Sequence, residues 1–187
     1  KKNKHTRARF YFDKDTVNFD DIRRFGFINI IKAELKIDYL NKIGPDVLEI
    51  STKQSKIIID KSKKSKSLIK DFILNQKYMS GIGNIYANEI LFASKIHPET
   101  KVNALSSNNW KDFFNNTKKI MRLAIKNNGT TLSDMTYFLP YGEFGSNQNF
   151  LKIYSKTNCF NCGHIIDKIY INQRATYFCR KCQKLKN

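Results

Sequence analysis

The feature that most restricts the fold of this chain is the arrangement of its four cysteines. They form two C-x-x-C pairs near the C-terminus, Cys159 with Cys162 and Cys179 with Cys182. Each pair offers two thiolates from one tight turn, and two such turns complete the tetrahedron that zinc prefers. Two disulfides are the alternative, but a very basic chain without an export signal suits a reducing compartment. The spacing therefore predicts one structural Zn²⁺, because four thiolates leave no open position for catalysis.

The segment between the two cysteine pairs is predicted to be a β-hairpin over residues 165–178 that the metal holds in place. Its tip reads Asn-Gln-Arg-Ala-Thr at residues 172–176 and includes Arg174. A guanidinium on a rigid tip is well suited to bidentate contact with phosphate. The hairpin is therefore a candidate phosphate-binding element.

The charge balance indicates the kind of partner. The 187 residues include 34 Lys and Arg against 16 Asp and Glu, for a net charge of +18. A positive field of this size favours a polyanion, with nucleic acid as the first candidate and an acidic membrane surface as the second. The sequence holds no long apolar run that predicts a membrane span, and residues 1–4 lead into no apolar core of a signal peptide.

A second local signal lies where two glycines, Gly81 and Gly83, are followed at once by Asn84. Apolar residues recur at helical spacing on both sides, so the glycines join two helices. Asparagine is a good helix N-cap, and the first helical turn has amide groups without intrahelical partners, which bind anions readily. The segment predicts either a helix–two-turn–helix that grips a nucleic-acid backbone or a plain glycine turn between two core helices.

The N-terminal part of the chain is predicted to form strands over residues 7–31, including a strongly apolar run at 25–31. Between the strand-like runs, Arg23 and Arg24 precede Phe25. This pattern suits a solvated strand edge, or a device that hydrogen-bonds to bases and stacks on them.

The middle of the chain is predicted to be helical. A Lys/Ser-rich stretch at 62–66 marks the expected domain boundary, and apolar residues recur at helical spacing over 110–124. Ser106 or Ser107 is the expected N-cap of that core helix, and Gly129 marks its end. Residues 130–149 show no regular period and are expected to form a long loop.

Four motifs follow one another along the chain. They are Asp-Ile-Arg-Arg-Phe-Gly at 21–26, Ser-Gly-Ile-Gly-Asn-Ile-Tyr-Ala at 80–87, Gly-Thr-Thr-Leu at 129–132, and the cysteine pairs with Gln-Arg-Ala-Thr at 173–176. In this order they resemble the motifs of the formamidopyrimidine-DNA glycosylases, bacterial base-excision enzymes for oxidised purines. The second and fourth are highly specific, and the resemblance covers nearly all 187 residues, as the C-terminal two thirds of such a protein.

The resemblance implies roles for individual residues. Gly83 and Asn84 at the helix start, with Arg174 on the zinc hairpin, would hold the phosphates that flank a lesion. Arg174 would also donate a proton in the second elimination step. Arg23 would enter the gap left by the flipped base and Phe25 would wedge the stack, which fits an enzyme that must extrude its base.

Other residues match the family less closely. His5 matches a DNA-contacting histidine, and Lys64 and Lys66 lie on either side of the position of an interdomain lysine. The family's nucleophile, an N-terminal proline followed by glutamate, has no match here, so the chain alone is expected to be inactive. The segment 135–144 departs from the family's lesion-capping loop, which leaves the base specificity open.

The sequence therefore predicts an α+β protein: the end of a β-sandwich at 1–61, a helix–two-turn–helix domain at 62–139, and a lesion loop with a zinc ribbon at 140–187. The predicted function is removal of oxidised purines such as 8-oxoguanine from double-stranded damaged DNA, by a cytoplasmic, nucleoid-associated monomer. The alternatives are an endonuclease VIII-type enzyme for oxidised pyrimidines, a non-catalytic DNA-binding zinc protein, and a zinc-ribbon component of a ribonucleoprotein.

Overall fold

The computed structural model describes residues 2–22, 24–35, 40–132 and 143–185. The chain divides into two compact units, residues 1–39 and residues 40–187. This division lies at a different place from the predicted boundary at 62–66, which stays a prediction. The isoleucines of the lysine-rich stretch give it an apolar side, so Thr52–Lys63 is a helix that buries Ile58, and Lys64 and Lys66 after it are exposed.

The smaller unit contains one antiparallel hairpin, β1 (Thr6–Tyr11) and β2 (Thr16–Asp20). The predicted strand over residues 25–31 is wrong: within the described residues 24–35 the regular element is a short 3-10 helix, Ala33–Leu35. A strand needs a hydrogen-bonded neighbour, and in the described part of this unit β1 and β2 pair with each other. The apolar run is exposed instead, with Ile30 at 99%.

The described residues of the larger unit include four α-helices, which supply its core. The longest begins after Ser106, whose hydroxyl accepts a hydrogen bond from the Asn109 backbone N–H at 3.2 Å, while the Asn109 side chain accepts one from the Ser106 N–H at 3.1 Å. This reciprocal capping box confirms the predicted helix start. The helices are α1 (Thr52–Lys63), α2 (Ile69–Leu74), α3 (Asn84–Ala93) and α4 (Ser107–Lys126), with short 3-10 helices at Val102–Ala104 and Asn147–Phe150.

The helices pack around one apolar core. Trp110 of α4 is 1% exposed, and its ring lies edge-on to Phe72 at 6.1 Å and to Phe113 at 5.4 Å between centroids. Fully burying an aliphatic or aromatic side chain contributes roughly 1.5–3 kcal/mol. The predicted core stripe of α4 is therefore confirmed, and it fixes the position of α3 beside it.

The C-terminal ribbon consists of a second hairpin, β3 (Asp167–Ile171) and β4 (Arg174–Phe178). Its two-residue turn has positive φ at Asn172 (46°) and Gln173 (62°), the backbone that matches the twist of paired strands. One face of the ribbon packs on the helical core. In the described part of the chain, no helix is both long and apolar enough to cross a membrane.

Candidate nucleic-acid interface and metal centre

The four cysteines converge as the sequence predicted. Their Sγ atoms all lie within 4.8 Å of one another, with separations of 3.8 Å for Cys159–Cys182, 3.6 Å for Cys162–Cys179 and 3.5 Å for Cys162–Cys182. Sulfurs about 2.3 Å from a tetrahedral zinc ion stand about 3.8 Å apart. The four thiols are free of disulfides, so the geometry fits a bound metal ion.

The thiol pKa values differ across the cluster. The backbone hydrogen bond at His164 lowers the pKa of Cys162 to about 7, which favours its thiolate. Burial raises the pKa of Cys182 to about 12. A divalent cation at the centre would overcome that burial effect, because coordinating thiols are deprotonated outright.

A side chain outside the cysteines ties the ribbon to the helices. The Gln183 carbonyl oxygen accepts a hydrogen bond from the Cys179 backbone at 3.0 Å, and its amide donates to the Ile96 carbonyl at 2.7 Å. The rings of His97 and Phe178 pack edge to face, with their centroids 4.4 Å apart. The metal centre is therefore anchored to the end of α3.

The predicted glycine turn lies between α2 and α3. Gly81 has φ +101°, a conformation that side-chain-bearing residues rarely adopt. The Gln76 side chain fastens the turn: its oxygen accepts from the Gly81 N–H at 3.0 Å and its amide donates to the Ile82 carbonyl at 3.1 Å. Gly83 differs, since its φ is −98° and an added Cβ would meet no atom within 4 Å. Nothing in the local packing requires glycine at position 83.

Asn84 occupies a different position from the one predicted. The N-cap of α3 is Gly83, and Asn84 is the first helical residue, so the prediction of an asparagine N-cap is wrong. Its side chain turns to the ribbon instead, where Nδ2 donates to the Ala175 carbonyl at 3.1 Å. No side chain caps α3, so its first-turn amides have neither an intrahelical partner nor a side-chain one.

A buried lysine links α2 to the ribbon. Lys70 has no exposed surface, and its Nζ donates to Thr176 Oγ1 at 2.8 Å, to the Ala175 carbonyl at 3.2 Å and to Asn88 Oδ1 at 3.2 Å. Burial, with the nearby positive charge of Arg174, lowers the pKa of Lys70 to about 7. The residue holds the strand that carries Arg174 against the helices.

Two polar residues of α3 complete the docking of the C-terminal segment. Asn88 Oδ1 accepts a hydrogen bond from the Tyr177 backbone at 2.7 Å. The buried Glu89 carboxylate accepts three backbone hydrogen bonds, from Lys152 at 2.8 Å, Ile153 at 3.0 Å and Tyr154 at 2.8 Å. Polar groups this deep in a protein are retained when fully hydrogen-bonded, as these are.

The sequence did not single out Lys70, Asn88 or Glu89. A usable signal was present in α3, where two polar residues interrupt the apolar stripe of a helix that otherwise reads as core. Lys70 gave no such signal among so many lysines.

The other residues predicted to bind DNA lie on several elements of the two units. Arg174 is exposed at the start of β4, and Lys64 and Lys66 are exposed just after α1. In the smaller unit, His5 is partly buried and Phe25 is 82% exposed.

Two predictions fall where the structure gives no description. Arg23 lies outside the described residues, as do residues 133–142 of the predicted lesion loop. The Gly-Thr-Thr motif before that loop is described, and the hydroxyls of Thr130 and Tyr86 lie 2.9 Å apart in a hydrogen bond. This bond ties the loop's start to α3.

The fold and the site together define a helix–two-turn–helix protein with a four-cysteine ribbon. The model of the formamidopyrimidine-DNA glycosylase H2TH domain matches residues 43–136, and that of the zinc finger found in FPG and IleRS matches residues 159–185. The formamidopyrimidine-DNA glycosylase of Mycoplasma genitalium is 41% identical over 185 residues, covering 97% of this chain and 64% of the relative. That of Listeria monocytogenes is 39% identical, covering 97% and 67%.

Solved structures of similar fold come from the same family as the sequence relatives. The Lactococcus lactis Fpg in complex with DNA containing an abasic site has a TM-score of 0.86 and 31% identity, covering 98% of this chain and 68% of that one. The MutM (Fpg) protein of Thermus thermophilus has a TM-score of 0.89 and 28% identity, covering 100% and 71%. The chain belongs to the formamidopyrimidine-DNA glycosylase family, and it spans about two thirds of the length of these relatives. The predicted α+β fold class is confirmed.

Proposed function

We propose that this chain is the DNA-holding part of a bifunctional DNA glycosylase and AP lyase of base-excision repair. Its substrates are oxidised purines, 8-oxoguanine and formamidopyrimidines, in double-stranded DNA. The observation that carries the proposal is the 3.1 Å hydrogen bond from Asn84 to the Ala175 carbonyl. This bond sets the first turn of α3 beside the arginine-bearing strand of the ribbon.

The two elements complement each other as an anion-binding pair. The first turn of α3 offers unpaired amides and the positive end of a helix, and Arg174 adds a full charge. Gly83 leaves open space where a side chain would stand, which lets a phosphate approach the amides. Contacts of this kind fix the position of a duplex without reading its sequence.

The lesion itself is assigned to other residues. Solved relatives carry DNA with an abasic site or with Fapy-dG. In this chain we assign Arg23 to fill the gap left by the flipped base and Phe25 to insert between the neighbouring base pairs. An enzyme that extrudes a base must fill the space behind it and separate the stacked bases. The exposed ring of Phe25 suits that task. His5, Lys64 and Lys66 add phosphate contacts.

One Zn²⁺ per chain occupies the four-cysteine centre in this proposal. Its four thiolates close the coordination sphere, so the ion stabilises the hairpin and takes no part in the reaction. The free energy of metal binding then stabilises the folded state of the small ribbon.

The catalytic nucleophile is assigned outside the lysines that the structure describes. Attack on the sugar needs a neutral amine held against it, and an ordinary lysine, with a reference pKa of about 10.4, is almost wholly protonated at pH 7. Lys70 has a lowered pKa but no exposed surface and three hydrogen-bond acceptors. The family's N-terminal proline would supply the amine, and Arg174 the proton for the second elimination.

Borohydride trapping tests this assignment. The 187-residue polypeptide should bind an abasic-site duplex, yet form no trapped adduct and excise no 8-oxoguanine. A fusion that adds the N-terminal third of the Mycoplasma genitalium relative should gain excision and trapping together. Efficient trapping by the 187 residues alone would place the nucleophile within them and overturn the assignment.

The remaining assignments follow from the same proposal. The protein acts on DNA as a monomer in the cytoplasm, associated with the nucleoid. If the fusion folds and binds zinc and DNA yet neither traps nor excises, the non-catalytic DNA-binding protein becomes the better description. Excision of oxidised pyrimidines in place of purines would favour the endonuclease VIII-type alternative.

A further inference from the structure

The hydrogen bonds of the buried Lys70 fit its charged form. Its Nζ donates to Thr176 Oγ1 at 2.8 Å, to the Ala175 carbonyl at 3.2 Å and to Asn88 Oδ1 at 3.2 Å. An ammonium has three N–H donors, whereas a neutral amine has two and a lone pair. The three acceptors around Nζ are therefore all satisfied only while Lys70 carries its proton.

Two of these acceptors connect Lys70 to the phosphate site proposed above. Thr176 Oγ1 donates its own hydrogen to the Arg174 carbonyl at 3.0 Å, so toward Lys70 it acts as an acceptor. The Ala175 carbonyl accepts a second bond, from Asn84 Nδ2 at 3.1 Å. Loss of the proton from Lys70 would leave one acceptor without its donor in the network that positions Asn84 and Arg174.

The charges that face Lys70 come from several elements. Burial, and then the positive charge of Arg174 on β4, lower its pKa to about 7, while Asp71 on α2 acts in the opposite direction. Helix α3 contributes the neutral amide of Asn88, and its Glu89 carboxylate accepts three hydrogen bonds from the backbone at 152–154. Lys70 therefore exchanges between its two forms near neutral pH.

The segment 97–100 also packs against Lys70, whose backbone N–H donates to the Pro98 carbonyl at 3.4 Å. Its titratable groups are His97 and Glu99. Burial lowers the pKa of His97 below its usual 6.5, and the charge of Glu99 acts in the opposite direction. His97 is therefore neutral above pH 7 and does not obscure a change of charge at Lys70.

We propose that Lys70 is the positioning residue of the phosphate site between α3 and the ribbon, and that binding of a DNA phosphate there is coupled to uptake of one proton by Lys70. The inference rests on the proposed function. A phosphate beside Arg174 offsets a positive charge that disfavours the ammonium. The proton comes from the buffer and adds to the lone pair of Nζ, so no other covalent bond forms or breaks.

The affinity for duplex DNA should therefore fall as the pH rises. The pKa of Lys70 is about 7 in the free chain and higher in the complex, so binding takes up protons between the two values. By reciprocity, the protonated chain binds the phosphate more tightly. A rise of one pKa unit on binding corresponds to about a tenfold loss of affinity between pH 6 and pH 9, most of it above pH 7.

Calorimetry measures the proton directly. The zinc-loaded 187-residue chain is titrated with an abasic-site duplex at pH 7.5 in two buffers of different ionisation enthalpy, and the difference in heat gives the number of protons taken up. The parent chain should take up about half a proton more than Lys70→Met. Lys126→Met replaces an exposed lysine at the end of α4 and should keep the parent value.

A second pair of variants tests the link to Arg174 and leaves Lys70 in place. Thr176→Val keeps the side-chain shape and removes the hydroxyl between Lys70 and the Arg174 carbonyl. It should weaken duplex binding and shift the pH profile to lower pH, because one acceptor of the ammonium is lost. Thr176→Ser retains the hydroxyl and should retain both properties. Zinc content and melting temperature establish that each variant is folded.

The outcomes separate this inference from the proposed function. If the parent takes up no proton, or Lys70→Met takes up as many as the parent, Lys70 is only a structural support and the inference is overturned. The proposed function then stands as long as Arg174→Ala weakens duplex binding. If Arg174→Ala leaves binding unchanged, the proposed function fails, and the coupling at Lys70 fails with it.

Discussion

The two compact units differ in how far they bury their large apolar side chains. In residues 40–187, Ile69 and Ile73 are fully buried, whereas in the smaller unit Phe27 is 72% exposed and Ile30 is 99% exposed. The difference comes from the number of elements that each unit brings together, because a two-stranded hairpin alone cannot enclose an apolar face. The buried apolar side chains of the described residues therefore all lie in the larger unit.

The comparison extends to polar groups. The larger unit buries an amide, a carboxylate and an ammonium, on Asn88, Glu89 and Lys70, and gives each of them hydrogen-bond partners. The polar contacts of the smaller unit lie near its surface, such as those of Asp21 with the backbones of Arg24 and Gly26. The hydrogen bonds from Lys70 to Ala175 and Thr176 therefore support the strand that carries Arg174.

Loss of the metal is predicted to have the largest effect. Cys179→Ser, or removal of the ion by a chelator, should unfold the ribbon, because structural zinc contributes about 10 kcal/mol or more of apparent binding free energy. Circular dichroism would show the loss of the hairpin, and a binding titration would show weaker binding of duplex DNA.

The helical core is the internal control for that experiment. Trp110 fluorescence should stay that of a buried ring, since Trp110 packs against Phe72 and Phe113 and lies away from the cysteines. A folded hairpin in Cys179→Ser, with DNA binding unchanged, would contradict the role given to the metal.

A matched pair of isoleucines tests the contrast between the units directly. Ile73→Ala should lower the free energy of unfolding by about 2–5 kcal/mol, because it leaves a cavity in the core. Ile30→Ala should change it by less than about 0.5 kcal/mol, since the side chain is exposed. Urea titrations of the two variants measure both values, and similar losses would mean that Ile30 is buried in solution.

A smaller effect is predicted from the buried lysine. In the folded state the pKa of Lys70 is about 7, below the usual value of 10.5, so the unfolded chain binds more protons between these limits. The free energy of unfolding should therefore rise with pH over that window, by at most about 1.4 kcal/mol per pH unit. Below about pH 7 the full cost of burying the charge is present.

Lys70→Met keeps most of the side-chain volume and removes the ionisable group. The variant should lose the pH-dependent rise between 7 and 10.5, as followed by urea unfolding at several pH values. The same pH dependence in Lys70→Met and in the parent chain would show that another group is responsible.

The features of the fold and the site that could be predicted from the sequence are those set by residues close together in the chain. Cysteine spacing, the positive φ demanded at Gly81 and the capping box at Ser106 each depend on residues a few positions apart, and all three were predictable. Lys70 was not, because its partners Ala175 and Thr176 lie more than 100 residues away. Its type and its neighbours in sequence match those of many solvated lysines.

The errors have related causes. Residues 25–31 have a strand-like composition, but a strand forms only where another strand can pair with it, which composition does not report. Asn84 suits an N-cap by residue type, but the ribbon offers its side chain the Ala175 carbonyl instead. Both outcomes were decided by tertiary contacts.

The measurement that tests the account most directly is the salt dependence of duplex binding by Arg174→Ala. The account predicts weaker binding to any sequence, with the log–log salt slope reduced by about 1, because one phosphate contact is lost. Arg122→Ala, an exposed arginine on α4, serves as the control and should leave the slope nearly unchanged. If Arg174→Ala binds with the parent slope and affinity, the arginine does not hold a phosphate, and the proposed grip between α3 and the ribbon is contradicted.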